Sequence, residues 1–264
     1  MRVVVKLGGS LLTDKLLLKD LVRQTGEIQG SGHEMILVHG GGKHIKQYLD
    51  QLRVPSRFHK GLRVTDQATM QIVQMVLAGL VNKEVVAALG SFNVRAAGLC
   101  GGDGMSFLAR KYQDKDNPNG DFDYGYVGEV YAGDPNLVNL LLQGNFVPVI
   151  ACVAVDLQGS YYNVNADEMA AAVAVVCGAD RLIFLTDVPG VLDHQQNVIP
   201  VLSRSRMQEL RDCGVITEGM LPKTRACQRA LNEGIRQVHI VGGKEPDGLT
   251  RVLLHNESLG TAIQ

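Results

Sequence analysis

The stretch VVVKLGGS at residues 3–10 decides the fold. Its valines are typical of a buried strand, its two glycines end that strand, and Lys6 stands inside the apolar run. Short apolar runs that end near glycine recur as MILV at 35–38, LIFL at 182–185 and VHIV at 238–241, with helical patterns between them. This alternation is typical of parallel strands covered by helices on both faces. The chain is therefore predicted to form a three-layer α/β/α sandwich with a central, mainly parallel sheet.

The remaining patterns extend this alternation to the end of the chain. They predict one helix from the second glycine turn to about Leu52 and one from an N-cap at Thr65 through Val81. Further helices are predicted at 16–29, 137–143, 166–177, 207–213 and 223–233. Two further strands are predicted at 94–99 and 147–155. The polar stretch 57–64 is typical of a hairpin or lid, and 111–133 of an exposed hairpin or insertion. One continuous fold is expected to divide near residue 178, into halves 1–178 and 179–264.

The overall charge excludes several classes of partner. The 264 residues carry 26 Lys and Arg against 27 Asp and Glu, a net charge of −1, and the pI is about 6.7. Nucleic acids and anionic membranes attract cationic surfaces, so neither is expected as the main partner. No continuous apolar run reaches 18 residues, so no membrane-spanning helix is predicted.

The cysteines indicate the redox environment. There are five, an odd number without a C-x-x-C pair, and most have apolar neighbours. This pattern predicts reduced, packed thiols in a cytoplasmic protein rather than disulfides or zinc ligands. A catalytic cysteine is the alternative. The N-terminal MRVVVKLGG meets glycine too early to predict a secretory signal.

Three glycine-rich turns follow predicted strands and are able to bind an anion. They are Gly8-Gly9-Ser10, Gly40-Gly41-Gly42 and Gly101-Gly102-Asp103-Gly104. Glycine lets backbone N–H groups approach a phosphate, and a helix N-terminus adds positive partial charge. Each turn alone is explained equally well by tight packing. The sequence has no P-loop, dinucleotide-binding or protein-kinase motif, so phosphate chemistry is expected from another architecture.

Four charged residues stand in unusual places. Lys6 lies in an apolar strand, where a cation is costly unless it faces an anion or reaches water from an edge strand. Lys223 begins a helix, where the dipole disfavours a cation unless an anion arrives. Asp167 follows two asparagines before an Ala-rich helix, and one of the three is expected to be its N-cap. The guanidinium of Arg63 suits a carboxylate, with a solvated surface position as the alternative.

Eight motifs carry a resemblance that covers nearly the whole chain. They are KLGGS at 6–10, VHGGGK at 38–43, KGLRVTD at 60–66, LAGLVNKEVV at 77–86, GLCGGDG at 98–104, NVNADEMAA at 163–171, LTDVPGVLD at 185–193 and GVITEGMLPKTRAC at 214–227. With these motifs the chain resembles the amino-acid kinase family, whose fold is carbamate kinase-like. KLGG and HGGG indicate the wider family, whereas GLRVTD, VNK, NVNAD and GMLPK together resemble its acetylglutamate kinases.

The resemblance implies that ATP phosphorylates the γ-carboxylate of N-acetyl-L-glutamate, giving N-acetyl-L-glutamyl 5-phosphate for arginine or ornithine synthesis. The catalytic residues would be Lys6, Lys223, Asp167 and Gly9. Residues that bind the acceptor or the transferred phosphoryl group would be Gly41, Gly42, Arg63 and Asn163. ATP would be bound by Lys6, Gly8, Asp187, Val188, Gly190, Val191, Leu192, Val215, Ile216, Thr217 and Lys223.

The chemistry of this reaction agrees with the residues. Phosphoryl transfer needs positioning and charge neutralisation more than covalent help. A side-chain carboxylate with a pKa of about 4.3 is already ionised at neutral pH, so no general base is expected. The resemblance implies Mg²⁺ held mainly by the ATP phosphates, with few or no protein ligands.

Assembly and regulation are also expected from the resemblance. Arginine-inhibited members carry an additional N-terminal helix that joins dimers into a hexamer. Only five residues precede Lys6 here, so a homodimer without arginine feedback is expected. Two positions depart from the family pattern: CGGDG stands where relatives often have Ser-Gly-Lys-Asp-Gly, and Glu218 where they often have Gly or Asp.

Two other functions are open alternatives. One is a kinase of the same fold that acts on aspartate, glutamate, carbamate, UMP or a carrier-bound aminoadipate. The lack of a C-terminal regulatory domain disfavours aspartokinase, and GLRVTD and NVNAD disfavour the others. The second is a regulator that binds nucleotide without turnover, which the filled catalytic positions disfavour. Whether the segment 111–133 covers a substrate is left open.

Overall fold

Strands and helices alternate along the computed structural model, which describes residues 1–114, 122–216 and 220–264. The strands are β1 (Arg2–Leu7), β2 (Glu34–His39), β3 (Arg57–His59), β4 (Leu62–Val64), β5 (Ala96–Leu99), β6 (Phe107–Lys111), β7 (Val127–Gly133), β8 (Val147–Ala151), β9 (Val153–Val155), β10 (Tyr161–Val164), β11 (Arg181–Thr186), β12 (Val201–Leu202), β13 (Gln237–Gly242) and β14 (Thr261–Ile263). The α-helices are α1 (Gly9–Thr13), α2 (Lys15–Gly30), α3 (Gly42–Gln51), α4 (Gln67–Gln74), α5 (Asn82–Gly90), α6 (Asn136–Gln143), α7 (Ala166–Val176), α8 (Arg204–Asp212), α9 (Leu221–Asn232) and α10 (Gly248–Leu253). A π-helical segment, Met75–Val81, joins α4 to α5, and a 3₁₀ turn covers Asp103–Met105.

The central sheet has eight strands in the order β12-β14-β13-β11-β1-β2-β8-β5. All neighbouring strands are parallel except β13 and β14. The consecutive residues Val3, Val4 and Val5 of β1 are fully buried, although their side chains point alternately to the two faces. Both faces of the sheet are therefore covered, and the predicted three-layer sandwich is confirmed.

Two pairs of helices show how the layers close. Helices α7 and α9 pack on each other, and α7 lies over β1. Four alanines of α7 are almost fully buried, and their small side chains allow the helix to approach the sheet closely: Ala170, Ala171, Ala172 and Ala174. Helices α2 and α10 also pack together. Gln24 of α2 accepts hydrogen bonds from the backbone N–H groups of Leu249 and Thr250, which begin α10.

Two smaller sheets stand beside the central one. Strands β3 and β4 form an antiparallel hairpin, as predicted for residues 57–64. Strands β10, β7, β6 and β9 form a closed four-stranded sheet. The polar stretch 111–133 begins at the end of β6 and includes all of β7, and these strands pair antiparallel, as expected for a hairpin. The expectation that the stretch is exposed was wrong for its second part, because Tyr124, Val127 and Val130 are buried. Residues 115–121 lie outside the described part of the chain.

Some predicted elements were wrong in detail. The N-cap of α4 is Asp66, whose carboxylate accepts from the N–H of Thr69, whereas the Thr65 hydroxyl donates to the carbonyl of Arg63. The strand predicted at 147–155 breaks at Cys152, so that β8 joins the central sheet and β9 the smaller one. Strands β6, β10, β12 and β14 and helices α1 and α10 were missed, because short elements leave too few residues to show a period.

The cysteines are free, as expected. Cys213 is exposed, and Cys100, Cys152, Cys177 and Cys227 are buried. Burial raises the pKa of the Cys177 thiol to about 12, and it raises the pKa of the other three buried thiols as well. None of these four side chains is a ready thiolate nucleophile, which disfavours a catalytic cysteine among them.

Residues Gln67–Gly90 form one continuous helical run of 24 residues through α4, the π-helical segment and α5. Its most apolar 18-residue window has a mean hydropathy of 1.6, so by length and composition alone the run is able to cross a membrane. In the sequence this run is not a continuous apolar stretch, because polar residues such as Gln71, Gln74 and Asn82 divide it, and the expectation that no helix is long and apolar enough was wrong by this criterion. This is weak evidence, since core helices pass the same test, and 44% of the window is buried inside the protein.

Candidate active site

The carboxyl ends of β1 and β2 meet the amino ends of two helices at one edge of the sheet. Gly8 separates β1 from helix α1, which begins at Gly9, and Gly40-Gly41 separates β2 from α3, which begins at Gly42. The first N–H groups of both helices have no partner within the helix, and they carry positive partial charge. Gly8 is needed for close approach, because a Cβ there would lie 2.8 Å from the carbonyl oxygen of Leu185 on β11. This edge is therefore able to accept an anion.

A carboxylate held between two ammonium groups lies at this edge. Lys6 Nζ is 2.9 Å from Asp167 Oδ1, and Lys223 Nζ is 3.0 Å from both carboxylate oxygens of Asp167. The three residues come from β1, α7 and α9, which are adjacent in the fold and distant in the chain. Two positive charges and one negative charge leave the cluster with a net charge of +1. Such a cluster attracts a further anion.

Local structure places Asp167 at the start of α7. Asn165 is the N-cap, and its side-chain oxygen accepts from the N–H groups of Asp167 and Glu168. Asp167 then lies in the first helical turn, where the helix dipole stabilises a negative charge. Burial opposes ionisation, but the ammonium groups of Lys6 and Lys223 outweigh it and hold the pKa of Asp167 below its usual value.

Lys223 is among the most buried charged residues that the structure describes. It lies in the first turn of α9, with only 5% of the residue exposed. Its ammonium group lies 5.1 Å from the centre of the Phe184 ring, at a distance typical of a cation–π contact. Burial lowers the pKa of Lys223, the carboxylate of Asp167 raises it, and the nearby ammonium of Lys6 lowers it further. An incoming anion would relieve the repulsion between the two lysines.

The hairpin β3–β4 brings Arg63 to the amino end of α3. Arg63 is buried, its Nη2 donates to the carbonyl of Gly42 at 3.2 Å, and its Nη1 donates to the hydroxyl of Ser56. The guanidinium also lies 4.6 Å from the centre of the Phe58 ring. Burial lowers the pKa of Arg63, but an arginine stays charged in proteins. The arrangement presents a fixed cation beside the second glycine turn.

Asn163 lies on β10 and contacts Thr65, the residue that follows β4 in the chain. Its Nδ2 donates to the hydroxyl of Thr65 at 3.1 Å. Thr65 also bridges to the segment before β7, because its N–H donates to the carbonyl of Tyr124 and its carbonyl accepts from Tyr126. The hairpin and the small sheet are thereby tied together. Arg63 and Asn163 thus belong to one connected wall.

The segment after β11 approaches the first glycine turn. The hydroxyl of Ser10 donates to Asp187 Oδ1, which links this segment to the start of α1. Gly190 packs closely on Thr261, and the Thr261 hydroxyl accepts from the N–H of Val191. Val191 is buried, and its carbonyl accepts from Ile199, so both of its backbone groups are already paired.

The other residues expected to bind ATP lie in two segments, one after β11 and one after α8. Leu192 bridges to Val198, and Val188 lies in the exposed turn before Gly190. Ile216 is buried and Val215 is half-buried, and both donate their N–H groups to the carbonyl of Leu210 at the end of α8. Thr217 lies outside the described residues, as does Glu218.

The chain also matches a known protein family. The model of the amino acid kinase family matches residues 1–242. This chain belongs to the amino acid kinase family.

The relatives of this amino acid kinase cover the chain almost completely. The acetylglutamate kinase of Acidobacterium capsulatum is 45% identical over 241 residues, covering 91% of this chain and 90% of the relative. The acetylglutamate kinase of Solibacter usitatus is 44% identical over 263 residues, covering 100% and 99%. Among solved structures, smu.665 from Streptococcus mutans UA159 superimposes with a TM-score of 0.82 at 31% identity, covering 100% of this chain and 98% of that one.

Several features of this amino acid kinase had no clear sequence signal. Phe184, beneath Lys223, reads as an ordinary residue of a buried strand. The contact between Ser10 and Asp187 joins positions 177 residues apart. The N-cap role of Asn165 was foreseen only as one of three candidates. A contact between distant segments becomes visible only once the fold is known.

A metal site made by the protein alone is not found within residues 1–114, 122–216 and 220–264, where no group of three His, Cys, Asp or Glu side chains is arranged to hold an ion. Asp167, the buried carboxylate at the site, is already paired with two ammonium groups. The described residues therefore fit a metal ion only if phosphate oxygens supply most of its ligands.

Proposed function

We propose that this chain uses ATP to phosphorylate the γ-carboxylate of N-acetyl-L-glutamate, giving N-acetyl-L-glutamyl 5-phosphate in arginine or ornithine biosynthesis. The observation that carries this proposal is the buried arrangement of Lys6 and Lys223 on either side of Asp167, at the edge where two helices begin. The choice of acceptor is supported by the names of the relatives that match nearly the whole chain.

Lys6 and Lys223 would neutralise the phosphate charge that moves during transfer. Their ammonium groups converge on one carboxylate, so they are held at a fixed separation before ATP binds. Donors that are already in place do not have to reorganise during the reaction, and this preorganisation lowers the barrier. Asp167 would orient the two lysines and keep both of them charged without touching the substrate.

Backbone N–H groups at Gly9, Gly41 and Gly42 would bind the transferred phosphoryl group. These glycines open α1 and α3, whose first N–H groups face the carboxyl edge of the sheet. The acceptor carboxylate is already ionised at neutral pH, so it attacks the γ-phosphorus directly and ADP leaves. No described side chain is required as a general base.

Arg63 and Asn163 would hold the α-carboxylate of the acceptor. Arg63 is buried beside Gly42, and Asn163 reaches the same wall through Thr65. A planar guanidinium is able to bind a carboxylate with two parallel hydrogen bonds. The acceptor would thereby lie with its γ-carboxylate toward the lysines.

The nucleotide would be bound by the half that follows residue 178. The strand order supports two halves, because β11 to β14 form one side of the sheet and β1, β2, β5 and β8 form the other. We place ATP along Gly8, Asp187, Val188, Gly190, Val191, Leu192, Val215, Ile216 and Thr217. Mg²⁺ would be held mainly by the ATP phosphates and would help to neutralise them.

A homodimer in the cytoplasm is the assembly that we propose. The helical run Gln67–Gly90 supports it, because this run is apolar and presents exposed residues such as Met75 and Gly79. Burying this surface against a second copy would remove it from water. Light scattering coupled to gel filtration of the purified chain tests the assembly, and a monomeric mass would contradict it.

A hydroxylamine trap tests the reaction and the acceptor together. Purified protein, Mg·ATP and hydroxylamine are mixed separately with N-acetylglutamate, glutamate, aspartate and N-acetyl-aminoadipate, and any acyl phosphate is captured as a coloured hydroxamate. We expect the signal with N-acetylglutamate to exceed the others by at least about tenfold. A larger signal with another acid would overturn the acceptor, and no signal with any acid would overturn acyl-phosphate formation.

A further inference from the structure

A buried chain of polar side chains lies behind the second glycine turn. His39 is the last residue of β2 and is fully buried. Its Nδ1 is 2.9 Å from the carbonyl oxygen of Gly40, and its Nε2 is 3.1 Å from Nδ2 of Asn82. Because a carbonyl only accepts, Nδ1 carries the proton and donates it to Gly40. Nε2 is then the acceptor for the Asn82 amide.

Every polar group of Asn82 is paired. Its Nδ2 also donates to the carbonyl of Val149 at 2.9 Å, and its Oδ1 accepts from Lys83 Nζ at 3.1 Å. Lys83 Nζ in turn donates to the carbonyl of Gly98 at 3.2 Å. These partners allow only one orientation of the Asn82 amide, and that orientation selects the tautomer of His39.

Gly98 on β5 is required by the same network. A Cβ at this position would lie 1.7 Å from Asn82 Oδ1 and 2.7 Å from Lys83 Nζ. No side chain fits there without displacing Asn82. Four elements, β2, β5, β8 and α5, therefore meet around a single amide group.

The helix that carries Asn82 also contacts the turn directly. A Cβ on Gly41 would lie 2.7 Å from Leu77 and 3.5 Å from Val81, both in the π-helical segment. This segment ends immediately before Asn82. Short π-helical segments occur frequently at functional sites. Here the π-helical segment packs on Gly41 with Leu77 and Val81. Asn82, the first residue of α5, contacts His39.

The hydrogen bond from His39 sets the direction of one N–H group. The carbonyl of Gly40 and the N–H of Gly41 belong to the same planar peptide group and point in opposite directions. When His39 holds the carbonyl of Gly40, the N–H of Gly41 is fixed in the opposite direction, away from the buried imidazole.

We propose that His39 and Asn82 are positioning residues that orient the Gly41 N–H toward the phosphoryl group in transfer. This inference rests on the proposed function, in which that N–H stabilises the transferred group. Neither side chain would touch a substrate. A buried pair needed only for packing would be replaceable by apolar residues of similar shape at little cost. A network that orients a catalytic N–H is not replaceable in this way.

Two substitutions of His39 separate orientation from packing. In His39→Asn, the amide nitrogen lies near the position of Nδ1 and keeps a donor for the Gly40 carbonyl. In His39→Gln, the amide reaches the position of Nε2, so Asn82 keeps a partner and Gly40 loses its donor. His239→Gln is the matched control, because His239 is another buried histidine on the central sheet and lies outside the site.

We expect the two His39 variants to differ in kcat. We expect kcat of His39→Gln to fall by about 10–100-fold, with KM for ATP and for the acceptor within about 3-fold of wild type, because the lost donor acts mainly in the transition state. We expect His39→Asn and His239→Gln to keep kcat within about 3-fold of wild type. If His39→Gln matches the control, or if His39→Asn is as impaired as His39→Gln, the inference is wrong.

A second measurement covers the case in which His39→Gln does not fold. Asn82→Leu and Gly98→Ala disturb the network from α5 and β5 without changing the turn itself. We expect both variants to bind an unreactive ATP analogue normally and to bind the complex of ADP with aluminium fluoride at least about 10-fold more weakly, since that complex resembles the transition state. Equal weakening of both ligands would indicate general damage and would overturn the inference.

The wild-type assay distinguishes the inference from the function on which it rests. If wild type produces no hydroxamate with any acid, the proposed function fails and the inference fails with it. If wild type is active and the variants are unchanged, the inference alone fails.

Discussion

Lys223 and Asp167 face each other in a bidentate contact, with Nζ 3.0 Å from each carboxylate oxygen, although they are 56 residues apart in the chain. Both residues are buried, and Asp167 has a second cationic partner in Lys6. A buried carboxylate between two ammonium groups holds both of them in place. The position of each lysine therefore depends on Asp167.

Asp167→Asn should remove the negative charge that holds the two lysines in place while keeping the shape of the side chain. Two ammonium groups would then lie close together without a counter-charge, and a buried charge that loses its partner costs about 3–5 kcal/mol. We expect kcat to fall at least about 100-fold and the free energy of unfolding to fall as well. Turnover at saturating substrates and urea unfolding measure the two effects. Glu168→Gln, one residue further along α7, is the control, and equal effects in the two variants would contradict the role of Asp167.

Lys6→Ala should mainly lower turnover. Lys6 is the cation of β1 at the carboxyl edge, and loss of one preorganised electrostatic donor typically costs about 10²–10³-fold in kcat. We expect a loss of at least about 100-fold, measured by the hydroxamate assay at saturating ATP and acceptor. Lys19→Ala on the exposed face of α2 serves as the control. Near-normal turnover of Lys6→Ala would remove Lys6 from the mechanism.

Arg63→Ala should mainly weaken binding of the acceptor. A hydrogen bond between charged groups contributes about 1.5–3 kcal/mol, which corresponds to about 10–100-fold in affinity. We therefore expect KM for N-acetylglutamate to rise by about that factor, with KM for ATP little changed. Arg57→Ala, an exposed position on the same hairpin, is the matched control. An unchanged KM for the acceptor in Arg63→Ala would show that its α-carboxylate is held elsewhere.

Stability should fall as the pH is lowered below neutrality. Burial lowers the pKa of His39 and of His239 to about 4 in the folded protein, whereas an unfolded histidine has a pKa of about 6.5. The unfolded chain therefore binds more protons between these values, and folding is favoured by higher pH. The contribution of each histidine is complete above about pH 6.5 and is lost as the pH falls to about 4, a change of about 3 kcal/mol each.

Urea unfolding at pH 7.5 and at pH 5 measures this dependence. We expect the free energy of unfolding to be lower at pH 5, and His39→Asn and His239→Gln each to make the difference smaller. A stability that is equal at the two pH values, or a difference that neither variant changes, would contradict the assignment to these histidines.

Much of the fold followed from local chemistry. Apolar runs such as Val3–Leu7, each ended by glycine, predicted buried parallel strands, because such strands have no solvent-facing side and must end in tight turns. The position of Lys6 in an apolar strand and of Lys223 at a helix start indicated an anion site, since a cation is unfavourable in both places, although an edge-strand lysine remained the alternative for Lys6.

Several short elements left no clear signal in the sequence. Strands β12 and β14 hold the edge of the central sheet with two and three residues. The division of residues 147–155 between two sheets at Cys152 depends on which strands lie beside them. Pairing of this kind is a property of neighbours in space, not of the residues themselves.

The sequence by itself determined the fold class and the residue types of the site, because periodic burial and misplaced charges can be read locally. Only the tertiary structure decided which charges meet: that Lys6 and Lys223 share Asp167, and that Asn82 reaches His39 across 43 residues. Such contacts arise when strands and helices pack in one arrangement, and the direction of a donor such as the Gly41 N–H is set by that packing. Composition and spacing carry no information about the direction in which a hydrogen-bond donor points. The proposed chemistry depends on that direction.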